Sequence, residues 1–262
     1  MIKLLGIPYD ANSSFMRGAA NAPDQIRLMH QLGSSNPSTE KGGSIDFENG
    51  IADGGNIQFR NEVPELVFQQ IRDEVLQLLA ENDKIIALGG DHSITYPIIE
   101  AYAHRYPGLH LLHFDAHSDL YEHFDKNPFS HASPFARIME NYLVASLTQV
   151  GLRTLCSHQR RQVDRYRVKV VEMKDFSLDF LKGLNAPLYI SLDLDVLDPA
   201  FAPGVSHHEP GGMTTRQLID ALHQISVPVV GADIVELNPN RDIHDMTAMV
   251  AYKLLKEISS LM

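Results

Sequence analysis

Short apolar runs and amphipathic stretches alternate from one end of this chain to the other, and that alternation restricts the fold more than any other feature. The strand-like runs are IKLLGIP (2–8), KIIALGG (84–90), LHLLHF (109–114), LTQVGL (147–152), VKVVEM (168–173), PLYISLDLD (187–195) and VPVVGADIVEL (227–237). Between them, apolar residues recur at helical spacing over 63–81, 93–105, 132–144, 214–225 and 245–260. Ser93 and Thr214 supply helix-start signals. A strand, a helix and a further strand in succession favour a right-handed crossover that sets the two strands parallel. The strand interiors are continuously apolar, as in strands covered on both faces. The expectation is an α/β fold in which a central, mostly parallel sheet lies between two helical layers. Residues 32–62, rich in Gly, Ser and Asn, read as a long loop within it. No repeat, low-complexity tract or linker interrupts the pattern, so 1–262 is expected to be a single domain.

Composition narrows the function classes. The chain is 44% hydrophobic and 21% charged, values of an ordinary globule that can bury a core without staples. Its one cysteine, Cys156, rules out an internal disulfide framework and fits a reducing, cytoplasmic setting. The opening MIKLLGIPYDANSS reads as a first strand rather than a secretory leader. No apolar segment approaches the ~20 residues of a membrane helix. The net charge of -11, without a basic or aromatic-interleaved patch, argues against nucleic acid and favours a small cationic partner.

Three strand ends carry the chemistry. KIIAL runs into GGDHS, which supplies Asp91 and His92. LHLLHF runs into DAHSD, which supplies Asp115, His117 and Asp119. LYISL runs into DLDVLDP, which supplies Asp193 and Asp195. In an α/β sheet, ligands bind at the carboxyl ends of strands. Residues two apart on a strand share a face, so Asp115 and His117 can converge, as can Asp193 and Asp195. Each motif alone is most simply a capped turn, and His110 and His113 are read as ordinary core or surface histidines. Together, four of these carboxylates (Asp115, Asp119, Asp193 and Asp195) and the two imidazoles of His92 and His117 would repel one another unless cations sit among them. Six such side chains are too many for one catalytic ion, whereas two divalent ions balance four carboxylates. The oxygen-rich set suits Mn²⁺, with Co²⁺, Ni²⁺ or Fe²⁺ as alternatives, and the lack of thiolates argues against structural zinc. Such an ion pair lowers the pKa of a water and generates a nucleophile at neutral pH.

GGDHS, DAHSD and SLDLDVLDPAFAPG, in this order, resemble the three signatures of the ureohydrolase family, which includes arginase, agmatinase and formimidoylglutamase. GIPYDANSSFMRGAANAPDQIR, QVGLR, EPGGMTTRQL and DIVELNP extend the resemblance over essentially the whole chain. It implies a three-layer α/β/α sandwich of the arginase/deacetylase kind, assembled as homo-oligomers, either trimers or hexamers. It also implies two manganese ions. His92, Asp115, Asp119 and Asp193 would hold one, and Asp115, His117, Asp193 and Asp195 the other. The family hydrolyses a guanidino or amidino C–N bond, releasing urea (or formamide) and an amine. Glu236 matches the carboxylate that grips the guanidinium. His131, in NPFSHASPF, matches the histidine that relays protons to the leaving amine. Asp119 is grouped with these two as catalytic.

Two departures bear on the substrate. In arginases an acidic pair follows GLR, whereas here Arg153 is followed by Thr154, Leu155 and Cys156. Members resembling agmatinase carry a Thr-Pro-type segment where this chain has His207 and His208, both candidates for lining the pocket. The expected reading is agmatinase-like, acting on a cationic guanidino compound in polyamine metabolism. Formimidoylglutamase is the main alternative and would need cations for two carboxylates, for which Arg153 is the visible candidate. Guanidinobutyrase and arginase are further alternatives. A relative that binds metal without catalysis is the alternative of another class, although no ligand is missing.

Overall fold

A computed structural model describes residues 1–44 and 50–262. Eight strands form one sheet: β1 (Ile2–Ile7), β2 (Ile51–Asn56), β3 (Lys84–Gly89), β4 (His110–Phe114), β5 (Ser146–Leu152), β6 (Lys169–Glu172), β7 (Leu188–Asp193) and β8 (Val229–Val235). Their spatial order is β2-β1-β3-β8-β7-β4-β5-β6, and every neighbouring pair is parallel. The helices are α1 (Ala22–Gln31), α2 (Pro64–Ala80), α3 (Thr95–Arg105), α4 (Pro134–Glu140), α5 (Ser157–Tyr166), α6 (Thr215–His223) and α7 (Met246–Ser259). None among the described residues is long and apolar enough to cross a membrane.

Alternate residues of each strand feed two cores. Leu4, Ile86, Leu112, Phe114, Ile190, Leu192, Ala232 and Ile234 point to the face covered by α1, α6 and α7. Leu5, Ile85, Leu111, Tyr189, Val230 and Val235 point to the opposite face, where α2, α3 and α4 pack. Neither face meets water, so both must be apolar and the strands read as unbroken hydrophobic runs. Thr214 starts α6 as expected: its Oγ1 accepts from the Gln217 N–H at 3.1 Å while the Gln217 side chain accepts from the Thr214 N–H at 2.9 Å.

Three elements lie outside the sequence expectation. The stretch 32–62 is not loop throughout, because Ile51–Asn56 forms the edge strand β2; residues 45–49 of that stretch lie outside the described residues. Asp53, Gly54 and Gly55 are poor strand formers, and only backbone pairing with β1 through an irregular register makes them a strand. Helix α1 begins with a proline in its first turn. Helix α5, SHQRRQVDRY, is so polar that it carries no apolar stripe, and its buried positions include Gln159 and Gln162.

The strand order fixes the site. After β3 the chain crosses to β4, leaving a gap that β7 and β8 later fill, so β3, β8, β7 and β4 stand side by side at the centre. Their carboxyl ends open on one crevice, at the place where the winding direction changes. Gly90, just after β3, lets the Tyr9 backbone pass: a Cβ at Gly90 would lie 1.9 Å from the Tyr9 carbonyl oxygen. The Gly90 carbonyl in turn accepts from the Glu236 N–H at 2.9 Å. Gly90→Ala should therefore force backbone apart and lower the unfolding free energy by about 1–3 kcal/mol, measured by urea denaturation of the metal-free protein. An unchanged midpoint and slope would show that this close approach carries no cost.

Candidate metal centre

His92 opens a single 3-10 turn (His92–Ile94) after β3, capped by the Asp91 carboxylate, which accepts from the Ser93 N–H at 3.0 Å. Asp91 also accepts from the Asn12 N–H at 3.0 Å and so pins residues 12–14 over the site rather than joining the ligand cluster. The His92 ring is buried and its orientation is fixed from behind. Its Nε2 lies 2.9 Å from Ser191 Oγ, and that hydroxyl donates to Asp233 Oδ1 at 2.7 Å. Asp233 Oδ2 is held by Tyr189 OH and Thr95 Oγ1 at 3.0 and 3.1 Å. Because Ser191 donates its proton to Asp233, it accepts from His92 Nε2–H, which leaves Nδ1 as the front-facing atom.

That Nδ1 has no hydrogen-bond partner, although oxygens of Asp115, Asp193 and Asp119 stand 3.1, 3.1 and 3.2 Å away. A buried nitrogen this close to three carboxylates calls for positive charge at that point, either a proton on Nδ1 or a metal ion among the oxygens. The geometry fits a metal ion. The same demand appears as basicity: burial depresses the His92 imidazole, but the three carboxylates outweigh it and raise its pKa well above the usual value. Burial together with Asp195 and Asp115 pushes Asp193 well above the usual carboxylate range.

The second half of the cage lies alongside. His117 Nδ1 is 2.9 Å from Asp195 Oδ2 and 3.4 Å from Asp115 Oδ1. Asp115, His117 and Asp195 form one group with metal-ligand spacing. Burial raises the Asp195 carboxyl to about 6, and Asp115 adds to that rise. Asp195 sits in a 3-10 turn (Leu194–Val196) beyond β7, not on the strand, and its own N–H is held by Asp193 Oδ1 at 2.8 Å. Asp119 and Glu236 both occupy left-handed backbone, with φ of 47° and 66°. That conformation is unfavourable for non-glycine residues, and the turns that aim both carboxylates into the crevice require it.

Beside the cage lies a cleft whose lining includes Ser14, His117, Asp119, His131, Thr154 and His207. His131 is nearly buried, with Nδ1 2.8 Å from Glu236 Oε1 and Nε2 2.8 Å from Ser14 Oγ. The same Glu236 oxygen accepts from the His92 N–H at 2.9 Å. Burial lowers the His131 pKa, but Glu236 outweighs it and lifts it to about 9. His207 joins this wall: its ring centroid is 5.4 Å from that of His131 and 5.8 Å from that of His117.

Two expected pocket residues sit elsewhere. Arg153 directs its guanidinium to backbone carbonyls of Glu209, Asp195, Gly151, Val196 and Leu197, bracing the loops under the cage. Six donor–acceptor contacts to main chain leave it a strut, not a substrate group. His208 is exposed, with Nε2 at 2.7 Å from the Pro203 carbonyl oxygen, and it turns away from the cleft. His110 is a satisfied histidine as expected, 2.7 Å from Ser146 Oγ. His113 is not. It is fully buried and its Nε2 lies 2.8 Å from Asp115 Oδ2. The signal was present: His113 stands two residues before Asp115, next to the end of β4.

Carboxylates and imidazoles converge beyond the four central strands of this parallel sheet as a set of candidate metal ligands in an α/β fold. Over residues 1–260 the sequence matches the model of the arginase family, and the chain belongs to that family. It is 43% identical to Arginase 1, mitochondrial, of Arabidopsis thaliana, over 98% of this chain and 80% of the relative. It is 35% identical to the N(1)-aminopropylagmatine ureohydrolase of Thermus thermophilus, over 94% of this chain and 86% of the relative. The solved arginase from Medicago truncatula superposes with a TM-score of 0.91 at 38% identity, covering 99% of this chain and 86% of that one.

The His131–Glu236 pair makes a direct expectation. In the metal-free protein the His131 imidazole should lose its proton with a midpoint near pH 9, and Glu236→Gln should move that midpoint back toward 6.5. Chemical-shift titration of ring-labelled histidine measures both. A wild-type midpoint at 6.5 would show that the two groups do not pair.

Proposed function

We propose that this chain is a dinuclear-metal hydrolase that cleaves the C–N bond of a guanidino compound, releasing urea and an amine, with manganese as its resident metal. The observation that carries the reading is the orphaned His92 Nδ1 among three carboxylates. His92, Asp115, Asp119 and Asp193 would hold one ion, and Asp115, His117, Asp193 and Asp195 the other, with Asp115 and Asp193 shared. When bound, such a pair supplies an activated water and an electrophilic field at neutral pH. Glu236, with one oxygen committed to His92 and His131, would use the other to accept an N–H from the guanidinium. His131 would keep its imidazolium proton at neutral pH through Glu236 and would pass it from Nε2 to the departing amine, with Ser14 Oγ holding that proton beforehand.

On the far end of the substrate, the 40–43% identity to plant arginases favours L-arginine as the first candidate. The acid missing after Arg153 weighs little against it. Cys156 is exposed, so an α-ammonium in that place would remain solvated and would not bear the cost of an unpaired buried charge. Agmatine is the second reading, favoured because Arg153 is consumed by main chain and the cleft lining contains no Lys or Arg among the described residues. The same consumption of Arg153 disfavours formiminoglutamate, which brings two carboxylates. Homo-oligomeric assembly and a cytoplasmic setting belong to the proposal as well.

Elemental analysis of purified protein should find two divalent ions per chain. Asp193→Ala should empty or disorder the pair, whereas His131→Asn should keep it and lower turnover by roughly 10²–10⁴-fold. A single tightly bound ion in the wild type, or metal loss with His131→Asn, would overturn these assignments.

Side-by-side kcat/KM for arginine, agmatine and formiminoglutamate on fully metallated protein, read as urea or formamide release, decides the substrate. Arginine should exceed agmatine by at least about 10-fold, a difference of about 1.4 kcal/mol in transition-state binding. A preference for agmatine replaces the first reading with the second, and activity on formiminoglutamate alone refutes both.

A further inference from the structure

Behind the ligand Asp115 stand two buried groups that the proposed reaction does not use. His113 packs its ring on Phe135, with centroids 3.8 Å apart, and presents Nε2 to Asp115 Oδ2 at 2.8 Å. Its Nδ1 is 2.9 Å from Gln149 Nε2 on the neighbouring strand β5. That same amide nitrogen is 2.6 Å from the Ser118 carbonyl oxygen. Only an NH₂ group can approach a carbonyl so closely, so this end of Gln149 is the donor and its second hydrogen faces His113 Nδ1. The histidine must then accept at Nδ1, carry its proton on Nε2 and donate it to Asp115. One amide thus sets a tautomer, and through Ser118 it also ties down the turn that carries His117 and Asp119.

We propose that Gln149 and His113 form a positioning relay that holds Asp115 as an anionic, correctly turned ligand shared by the two metal ions, without either residue touching an ion. Asp115 is then fixed at both oxygens, because its Oδ1 accepts from the His117 N–H. The relay explains why a histidine occupies a fully buried position on β4 where its register neighbours Gln149 and Ser191 are also polar. Partners of this kind behind a ligand are worth 10–100-fold in metal affinity.

This inference rests on the metal-centre reading, and the experiment separates the two. Mn²⁺ affinity is measured by chelator competition, and the electronic absorption of the Co²⁺-substituted protein is recorded, for wild type, His113→Leu, His113→Gln and Gln149→Leu. Circular dichroism on the metal-free forms establishes that each is folded. His113→Leu and Gln149→Leu should each weaken binding by 10–100-fold and shift the Co²⁺ bands. His113→Gln should restore most of the affinity, since a glutamine amide can place an N–H where Nε2–H was. If the wild type binds no metal, the reading of the site and the relay fall together. If the wild type binds two ions and the leucine variants match it, the relay alone is wrong. Equal loss in His113→Gln and His113→Leu would make His113 a direct ligand and would likewise overturn the relay. Should His113→Leu fail to fold, Gln149→Leu decides the same question from β5.

Discussion

Everything at this site follows from electrostatic crowding around one nitrogen. His92 Nδ1 faces three carboxylate oxygens within 3.2 Å, and its ring cannot turn away because Ser191 and Asp233 hold it from behind. Proteins avoid placing such groups in a core unless something of opposite charge joins them. The sheet supplies the rigidity that keeps them there: each of these side chains lies at or shortly after the end of a central strand. A preorganised nest of this kind meets its cost during folding and so has little reorganisation left to make when a cation enters.

Much of this was legible in the sequence for a plain reason. Strands covered on both faces must be apolar throughout, so a run such as LHLLHF followed by DAHSD shows both the strand and the place where its geometry ends. Asp115, His117, Asp193 and Asp195 were readable because carboxylates and imidazoles gathered at strand ends call for a cation; the strand alternation expected to align them does not apply, since β4 ends at Phe114 and Asp195 lies in a 3-10 turn. Expected and observed strand boundaries agree closely because the apolar runs stop where burial stops. Helix α5 and strand β2 were hidden because neither owes its structure to its own side-chain pattern. The first is held by its capping interactions and partial burial, and the second by the backbone of β1.

Residues acting on other side chains were the hardest to find. Arg153 was expected to meet substrate as the visible cation for a compound with two carboxylates; the structure surrounds it with carbonyl oxygens, a pattern with no trace in a one-dimensional spacing. His113 was passed over because a lone buried histidine is usually just satisfied. What distinguishes it is its partner, Asp115, together with an amide from another strand, and cross-strand register is not written in the local sequence. Ser14, Ser191 and Asp233 share that character.

The order of the strands has a consequence for how the protein comes into being. β3 and β4 are made early, yet they are never neighbours; β7 and β8 must later slot between them, and each brings part of the site. During synthesis, then, the facing edges of β3 and β4 stay unpaired until β7 and finally β8 have emerged, a situation that favours slow closure and exposes edges to association. His92, Asp115, His117 and Asp119 exist long before Asp193 and Asp195 arrive to complete the cage. A ribosome-bound fragment ending ahead of β7 lacks Asp193 and Asp195, so the cluster of carboxylates and imidazoles is complete only once the sheet has closed.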